Sequence, residues 1–399
     1  MKIAHLSQYF QPKLGYNDLY LPMKQQAMGH EVCVITSDRY MPSTRFFGNI
    51  VGNRIVGTGK FYEEGILTYR LPCLFERESV ILTYGIKKAL GIFKPDVVHC
   101  HDIFSLAIIA AAFYKESLNF ALVVDSITGT FDPRKIKRMA YLAYKYFLFP
   151  YVMRKADVFC AINEGSRSWL QEKLEVLPQN IELIPLGADM DLFKYDSFKR
   201  GEIRKSLELS DGNVLIVYSG KMLPEKDITT LILAVASLPD RTKNRVRILL
   251  VGSGPNFYTE EVSRLACRHE LSGSVHFHPP VHRKRLSEFY SAADIGVWPG
   301  SPSNSIIEAM SAGLPIIIAG YRTLRHDAHD TSNLLEYHNG LSFVKGSAKE
   351  LAACIEKLVE DEKLRCGMGV KSRKLVEDKL NWGTIARKTL EAYQRVMSV

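Results

Sequence analysis

The chain has 399 residues, which is too long for one ordinary core and favours two domains of roughly 200 residues each. Hydrophobic residues make up 46% and charged residues 24%, a balance that excludes an intrinsically disordered chain. The net charge of +9 at pH 7 leaves nucleic acid, an anionic membrane surface and phosphorylated ligands open as partners.

Strand-like runs alternate with helical segments along the whole chain. They read KIAHLS, EVCVITS, DVVHC, ALVVDS and DVFCAI before the midpoint, and VLIVYSG, RILLVGSG, VHFHP, DIGVWPG and PIIIAG after it. This alternation is typical of βαβ units, so we expect an α/β fold with a doubly wound, mostly parallel sheet in each half. The apolar pattern breaks near IPLGADMDLFKYDSFKR, which predicts domains at 1–195 and 196–382 with ligands in the crevice at the strands' carboxyl ends.

The N-terminal run MKIAHLSQYF predicts a first strand rather than a signal peptide, because its apolar stretch is short and contains a glutamine. Gly15 follows in a loop ahead of a helix, where it either brings backbone to a phosphate or simply forms a turn. Seven cysteines without a C-x-x-C pair favour reduced thiols and a cytoplasmic protein.

Basic and aromatic residues alternate between Pro133 and Ala156, with no acid among them. The basic residues are Arg134, Lys135, Lys137, Arg138, Lys145, Arg154 and Lys155, and the aromatic ones are Tyr141, Tyr144, Tyr146, Phe147, Phe149 and Tyr151. Lysines attract anionic lipid and aromatic rings favour its interface, so this stretch is either a membrane-surface contact or a solvated helix face with its aromatic residues in the core. No recognised motif supports nucleic-acid binding.

Two glycine-containing turns follow strands of the second half. In VYSGKMLPEKD, the strand ends at Gly220 and the turn carries Lys221 and Lys226, which either neutralise a diphosphate or are ordinary surface lysines. In ILLVGSGP, Gly252 and Gly254 let backbone approach a ligand or a neighbouring element closely, a weak signal by itself.

The stretch GSPSNSIIEAMSAGLP predicts a helix of about nine residues, with start signals at Pro302, Ser303 and Asn304 and a stop at Gly313. On a helical wheel, Glu308 points away from the apolar face. It is either a ligand for sugar hydroxyls beside a phosphate held at the helix N-terminus, or a solvated surface acid.

Two patterns that resemble metal sites are discounted. Asp189 and Asp191 form a DMD pair without an evident third ligand, so we expect a structural role. His276 and His278 lie on one strand face, but they have no cysteine or acid partner nearby. We therefore expect no metal.

In this order, the segments SGKMLPEKD, LLVGSGP, LSEFYSAADIGVWPGSPSNSIIEAMSAGLPIIIAG, HNGLSFV and NWGTIARKTLEAYQRV resemble the GT-B glycosyltransferases, in particular the large retaining group called family 4. The resemblance covers nearly the whole chain. It implies two Rossmann-like domains facing across a cleft, an N-terminal one for the acceptor and a C-terminal one for a nucleoside-diphosphate sugar. It further implies that no cofactor or metal is required, and that a final helix, residues 383–399, returns to the first domain.

The resemblance also implies roles for single residues. Glu308 matches the second glutamate of an E-x7-E pattern that holds the ribose, and Lys226 matches the lysine that contacts the diphosphate. Lys221 stands where an arginine is usual, and Gly15 matches the first glycine of a G-G loop whose second position is Tyr16. Donor-binding positions by this reasoning are Gly15, Gly220, Gly252, Gly254, Ser303, Asn304 and Ser305, while Lys221, Lys226 and Glu308 are the catalytic candidates.

Three departures from the family pattern keep alternatives open. Gly300 replaces the first glutamate of E-x7-E, so sugar recognition must use another group, for which Ser301, Ser303 and Asn304 are candidates. Thr128 stands where a histidine is frequent, which leaves Asp125, Thr128, His101 and Asp102 as acceptor-side candidates. The expected activity is hexose transfer to a lipid-linked or surface-glycan precursor, by a protein lying on the inner face of the cytoplasmic membrane. The alternatives are a catalytically silent nucleotide-sugar-binding subunit and a sugar-nucleotide epimerase of the same fold.

Overall fold

The computed structural model describes residues 1–77, 80–126, 139, 141–320 and 331–398. These residues form two compact units. The first consists of residues 1–186 and the segment from Trp382 onwards, and the second consists of residues 187–320 and 331–381.

The first unit is built on a parallel sheet. Its strands are β1 (Lys2–Leu6), β2 (Glu31–Ser37), β3 (Gly59–Glu63), β4 (Ile66–Leu71), β5 (Cys73–Arg77), β6 (Val80–Thr83), β7 (Val97–Cys100), β8 (Ala121–Ser126), β9 (Val158–Ala161) and β10 (Ile181–Leu183). Among them, β10-β9-β8-β7-β1-β2-β4-β3 form one sheet in which only β3 is antiparallel, and β5 pairs with β6 in a separate hairpin.

Helices cover both faces of this sheet, which is why β1, β7 and β8 are buried along almost their whole length. They are α1 (Asn17–Ala27), α2 (Gly48–Val51), α3 (Ile86–Phe93), α4 (Leu106–Leu118), α5 (Phe149–Lys155) and α6 (Glu164–Leu174). The final helix, Trp382–Met397, also belongs to this unit, because Trp382 stacks on Tyr20 of α1 with ring centroids 5.8 Å apart.

The second unit contains β11 (Val214–Ser219), β12 (Val246–Val251), β13 (Val275–His278), β14 (Ile295–Trp298), β15 (Ile316–Gly320) and β16 (Gly340–Val344). Its helices are α7 (Ser197–Ser206), α8 (Ile228–Ala236), α9 (Asp240–Lys243), α10 (Asn256–Arg268), α11 (Arg283–Ala292), α12 (Ser305–Ser311), α13 (Ala348–Glu360) and α14 (Glu362–Asp378), and we number the final helix of the chain α15. Its six strands are all parallel and follow the order β13-β12-β11-β14-β15-β16. Strands β12 and β13 follow on one side of β11, and β14, β15 and β16 follow on the other side, so the strand order reverses between β11 and β14. Ligands of doubly wound sheets bind at such a reversal point.

The structure bears out the predicted fold class and corrects the boundary after Tyr195. Residues 187–195 belong to the second unit, because Ala188 donates its amide to Leu380 at 2.8 Å and Phe193 is fully buried beside Tyr290, with ring centroids 5.8 Å apart. The segment was assigned to the first domain because its sequence is largely polar, and the buried Phe193 was not recognised as a contact of the second unit.

Candidate functional site

The candidate site of the second unit lies at the carboxyl ends of β11, β12 and β14. Gly252 and Gly254 follow β12 and pack directly against the turn that follows β11. A Cβ atom added to Gly252 would lie 1.9 Å from the carbonyl oxygen of Gly220, and one added to Gly254 would lie 1.7 Å from the carbonyl oxygen of Met222. The Met222 amide donates to Ser253 across this contact at 2.9 Å. The glycines of the G-x-G pattern therefore let the loop after β12 pack closely on the loop after β11. This contact positions the turn that carries Lys221 and Lys226.

Lys226 is half-buried against the loop after β14. Its ammonium group donates to the carbonyl oxygens of Ser301 at 2.9 Å and Pro302 at 3.0 Å. Burial lowers its pKa to about 8; Glu225 counters this shift, and the charges of Lys221 and Lys345 add to it. Burial also lowers the pKa of Lys221, again opposed by Glu225. The ammonium group of Lys221 thus lies close enough to Lys226 to disfavour its charge, a condition that an anion would relieve.

The packing of the loop after β14 on the Glu225–Lys226 backbone requires glycine at position 300. A Cβ atom at this position would lie 2.3 Å from the Glu225 carbonyl oxygen and 2.7 Å from the Cα of Lys226. The Ser301 amide also donates to the Glu225 carbonyl at 2.9 Å. A glutamate at position 300 would force the Glu225–Lys226 backbone to move. Glycine at position 300 therefore allows the lysine turn to pack against the loop after β14.

The start of α12 is tied to the end of β11 through Ser305. Its hydroxyl donates to the Ser219 carbonyl at 2.8 Å and accepts from the Trp298 indole at 3.0 Å. Ser303 lies 2.6 Å from the Ser305 hydroxyl and faces Gly220, while the carbonyl of Asn304 accepts the amides of Ile307 and Glu308. The helix has seven residues rather than the predicted nine. Ser303 is thus brought to Gly220 and Ser305 to Ser219, where Ser305 has an evident structural role, whereas Asn304 bonds within its own helix start.

Glu308 is buried, although the helical wheel predicted that it points away from the packed face. Helix α11 covers that side, and its Arg283 donates to Glu308 Oε1 at 2.9 Å. Burial raises the pKa of Glu308, Arg283 opposes that shift and Asp189 adds to it. The alternative of a solvated surface acid is wrong. Sequence reasoning missed Arg283, because it lies in an RKR run typical of an exposed helix start.

Gly15 lies in the first unit, in a turn after a short 3-10 helix. Its φ of 65° is in the left-handed region that favours glycine, and its amide donates to the Pro12 carbonyl at 3.1 Å. The turn already uses this amide. The local geometry therefore accounts for the glycine without a ligand.

Two of the acceptor-side candidates are brought together. Asp125, at the end of β8, is bonded through both carboxylate oxygens, to His101 Nδ1 at 2.9 Å and to His99 Nε2 at 2.6 Å. Asp102 instead accepts the amide of Phe104 at 3.1 Å, in a turn where its own φ is 77°. Thr128 lies outside the described residues. His99 was missed, although the HCH spacing places it on the same strand face as His101.

The patterns discounted as metal sites form no metal-ligand group in the described part of the chain. Asp189 accepts the amides of Asp191 and Leu192 at 3.2 and 3.3 Å, as a turn residue, and His278 contacts the carbonyl of the next residue, Pro279, at 2.9 Å. Among the described residues, the cluster with spacing suitable for a metal is His99, His101 and Asp125.

The basic aromatic stretch divides into a buried and an exposed part. Tyr144 and Phe149 are in the core, whereas Tyr146 and Phe147 are 62% and 80% exposed. Lys145 pairs with Glu175 at 3.4 Å. Arg134, Lys135, Lys137 and Arg138 lie outside the described residues. None of the helices in the described part of the chain has the length and hydropathy of a membrane-spanning helix.

Two protein-family models match the chain. The model for Glycosyltransferase Family 4 matches residues 23–192, and the model for Glycosyl transferases group 1 matches residues 199–375. The second match contains the whole lysine and Glu308 site. The first contains His99, His101 and Asp125.

Similar proteins include an uncharacterized glycosyltransferase of Methanocaldococcus jannaschii, 24% identical over 423 residues that cover 100% of this chain and 99% of the relative. A D-inositol 3-phosphate glycosyltransferase of Xylanimonas cellulosilytica is 29% identical over 224 residues, 53% of this chain and 51% of that relative. The solved structure of Anabaena Alr3699/HepE in complex with UDP has a TM-score of 0.77 at 17% identity, covering 99% of this chain and 100% of that one. At this identity, the likeness shows a shared fold.

Proposed function

Because this chain belongs to the GT-B glycosyltransferases of the group 1 and family 4 type, we propose that it transfers a hexose from a nucleoside-diphosphate sugar to an acceptor hydroxyl, with retention at the anomeric carbon. The donor binds to the second unit at the reversal point between β11 and β14. The acceptor binds to the first unit, beside Asp125 and His101. The pair of half-buried lysines, Lys221 and Lys226, carries the proposal.

Lys221 and Lys226 bind the donor diphosphate. Partial burial disfavours the charged form of both lysines and lowers their pKa, and the negative charge of a diphosphate offsets this effect. In the transition state, the bond between the anomeric carbon and the diphosphate oxygen breaks, and negative charge grows on the leaving group. Preplaced cations stabilise that charge most where water is excluded. This charge compensation makes a resident metal ion unnecessary in the proposed mechanism.

Glu308 binds the ribose of the donor. Arg283 holds the carboxylate through Oε1 and keeps it oriented, so that it accepts hydrogen bonds from sugar hydroxyls. The hydroxyls of Ser303 and Ser305 lie beside Gly220 and are connected by hydrogen bonds to the Ser219 carbonyl. With glycine at position 300, Ser301, Ser303 and Asn304 are the groups left to recognise the transferred hexose.

Retention follows from attack on the face that the diphosphate leaves. The acceptor oxygen forms the new bond to the anomeric carbon, and the departing phosphate takes the acceptor proton. This route needs no carboxylate nucleophile, in keeping with the bonds of Asp125, whose two oxygens are both held by histidines.

A panel of UDP-, GDP- and ADP-sugars tests the proposal. One donor should raise the melting temperature, since a ligand present at 100 times its Kd stabilises a fold by about 2.7 kcal/mol. With the protein alone, the same donor should be hydrolysed slowly to its nucleoside diphosphate. Release of the nucleoside diphosphate should be faster when a cell extract that contains the acceptor is added. Binding without turnover would favour the silent subunit, and a changed sugar on an intact nucleotide would favour the epimerase. Stabilisation by none of these donors would contradict the proposed site.

We further propose that the acceptor is presented at an anionic membrane surface, with the protein peripheral to the cytoplasmic membrane. The supporting observation is the exposure of Tyr146 and Phe147 within a stretch whose charged residues are all basic. Aromatic side chains of this kind insert at the lipid interface, and lysines add about 1 kcal/mol each near anionic lipid.

The double substitution Tyr146→Ser and Phe147→Ser is expected to lower binding to vesicles of phosphatidylglycerol and phosphatidylcholine at least several-fold, as measured by co-sedimentation. The matched control is Phe257→Ser, which removes a ring that is 61% exposed on the second unit. Equal sedimentation of all three proteins would contradict the membrane proposal.

A further inference from the structure

One face of the hairpin formed by β5 and β6 is exposed and mostly apolar. Phe75 lies opposite Leu82 in the register of the hairpin, and Arg77 lies opposite Val80. Because residues two positions apart in a strand share a face with their cross-strand partners, these four side chains project from the same face. Phe75, Val80 and Leu82 are 52%, 41% and 43% exposed. A solvated sheet face normally carries polar residues, so this pattern is the reverse of the usual one.

A shift in the register enlarges this exposed face. The pairing of β5 shifts between Cys73 and Phe75, which leaves Leu74 as an extra residue in its strand, as in a β-bulge. Leu74 is 63% exposed, so it and its neighbour Phe75 both contact solvent, although neighbours in a regular strand point to opposite faces. We call the surface formed by Leu74, Phe75, Val80 and Leu82 the hairpin face.

The opposite face of the hairpin is anchored to the sheet through a carboxylate. Glu76 lies opposite the buried Ile81, and it accepts from the Tyr9 hydroxyl at 2.8 Å and from Arg39 at 3.2 Å. It also pairs with Arg54. Tyr9 follows β1 and Arg39 follows β2, so these bonds tie the hairpin to the carboxyl edge of the parallel sheet. Turning the hairpin face inward would break them, and the apolar side chains therefore stay outside.

The exposed charges beside the hairpin face are basic in the described part of residues 73–93. Arg77 lies on that face, and Lys87 and Lys88 follow in the first turn of α3, all three of them exposed. Glu76 is turned inward to its two arginine partners, and Glu78 lies outside the described residues. An apolar surface bordered by lysine and arginine side chains complements an anionic lipid surface.

The hairpin and the exposed aromatic pair of the basic stretch both contact the start of α4. Thr83 of β6 and Ala107 of α4 line the same narrow cleft. The Tyr144 hydroxyl donates to the carbonyl of Ile103, which directly precedes that helix start. The aromatic pair belongs to the same π-helical turn as this tyrosine, Tyr144–Leu148. Two exposed apolar surfaces of the first unit are thus attached to one helix start.

We propose that the hairpin face is a second membrane-contact surface of the first unit, which inserts its leucine and phenylalanine side chains among the headgroups of an anionic bilayer. This inference rests on the peripheral membrane location in the proposed function and identifies a further element that enters the lipid. Arg77, Lys87 and Lys88 bind the lipid phosphates, while the apolar side chains leave water. Stable attachment to a membrane usually needs two signals, and the hairpin face supplies the second one.

Insertion of the hairpin would also orient the first unit. The hairpin is anchored at the carboxyl edge of the sheet, and the acceptor-side candidates Asp125 and His101 follow the carboxyl ends of β8 and β7 at the same edge. A bilayer bound to the hairpin face therefore lies at the edge to which a lipid-linked acceptor must be delivered.

A second copy of the chain is the other occupant that the test must distinguish. In a two-fold symmetric contact the same surface meets itself, so the basic residues that border the hairpin face would lie near the same residues of the partner. Like charges placed together in an interface disfavour association. The charge of Arg77, Lys87 and Lys88 therefore favours a lipid surface over self-association.

The test uses the tryptophan fluorescence of the full-length protein. The three native tryptophans are all buried, so lipid reaches them poorly. Leu74→Trp places an indole on the hairpin face. The matched control is Tyr62→Trp in the same unit, because Tyr62 is 74% exposed and lies opposite Leu67, near the amino end of β4, whereas the hairpin follows the carboxyl end of that strand.

Vesicles of phosphatidylglycerol and brominated phosphatidylcholine should shift the emission of Leu74→Trp to shorter wavelengths and quench it. The emission of Tyr62→Trp should stay unchanged. In co-sedimentation with the same vesicles, the double substitution Leu74→Ser and Leu82→Ser should lower binding about tenfold, since two leucine side chains no longer leave water. If this double variant fails to fold by circular dichroism, the fluorescence comparison decides alone.

Unchanged emission of Leu74→Trp while the protein still sediments with vesicles would overturn this inference and leave Tyr146 and Phe147 as the membrane contact. A shift to shorter wavelengths without vesicles, increasing with protein concentration, would assign the hairpin face to a second copy. Equal quenching by vesicles of brominated phosphatidylcholine alone would overturn the role of the basic side chains. None of these measurements uses a sugar donor, so failure of the proposed sugar transfer would be seen separately, in the donor panel.

Discussion

Lys226→Met is expected to lower the rate of sugar transfer by about 10²–10³-fold, the range found when one preplaced group that stabilises a developing anion is removed. Methionine keeps much of the side-chain volume but lacks the ammonium group. Because the fold buries that group at a cost that lowers its pKa to about 8, the free energy of unfolding should stay equal or rise. Donor turnover and chemical denaturation measure the two effects.

A matched control is Lys363→Met, which removes an exposed lysine from α14 of the same unit and should change neither quantity. A Lys226→Met protein with unchanged turnover would remove this lysine from the site. Loss of turnover together with a large loss of stability would assign it a structural role only.

The pH dependence of donor binding has a definite sign. Lys226 binds a diphosphate in its protonated form, so affinity should be constant below its pKa of about 8 and fall as the pH rises above it. Titration calorimetry between pH 7 and 9.5 should show this decrease in the unchanged protein and a flatter profile in Lys226→Met.

Glu308→Ala is expected to abolish donor stabilisation and to lower the free energy of unfolding by about 3–5 kcal/mol, the cost of leaving one partner of a buried ion pair behind. Arg283 is the partner left behind, and its side chain is only 14% exposed. Thermal shift with donor measures the first effect, and urea denaturation measures the second.

The double variant Arg283→Met with Glu308→Leu separates binding from stability. An apolar pair of similar size should recover most of the lost stability, because such replacements of buried ion pairs are often neutral. It should not recover donor binding. A double variant that binds donor normally would show that the carboxylate only supports the fold.

The sheets could be predicted from sequence because their strands are buried on both faces. Each of the ten apolar runs identified beforehand contains a strand of the structure, such as β11 before Gly220 and β14 before Gly300. The strands β3, β4, β10 and β16 and the exposed hairpin of β5 and β6 were not among these runs, since their apolar stretches are short or interrupted. In the hairpin, Leu74 and Phe75 are 63% and 52% exposed, which periodicity alone would not suggest.

The site could be predicted only where its residues are close in sequence. Lys226 and Glu308 lie on turns and helices directly after strands, so their elements were identifiable. Arg283 was not predicted, since it reaches Glu308 from a separate helix. The contact of Tyr393 with His99 was not predicted for the same reason, since the two residues are 294 positions apart in the sequence. Contacts of this range depend on tertiary packing, which local patterns do not encode.

Helix α15 has a consequence for how the chain is made. It packs on α1 and covers β8, yet a ribosome adds it after the entire second unit has been synthesised. Until then, the nascent first unit exposes the apolar surface that Trp382, Ile385 and Ala386 later cover. Domains that emerge first usually fold first during translation. Here the earlier domain can complete its core only after the later one has emerged, and chaperone contact during that delay would be directed to this uncovered face.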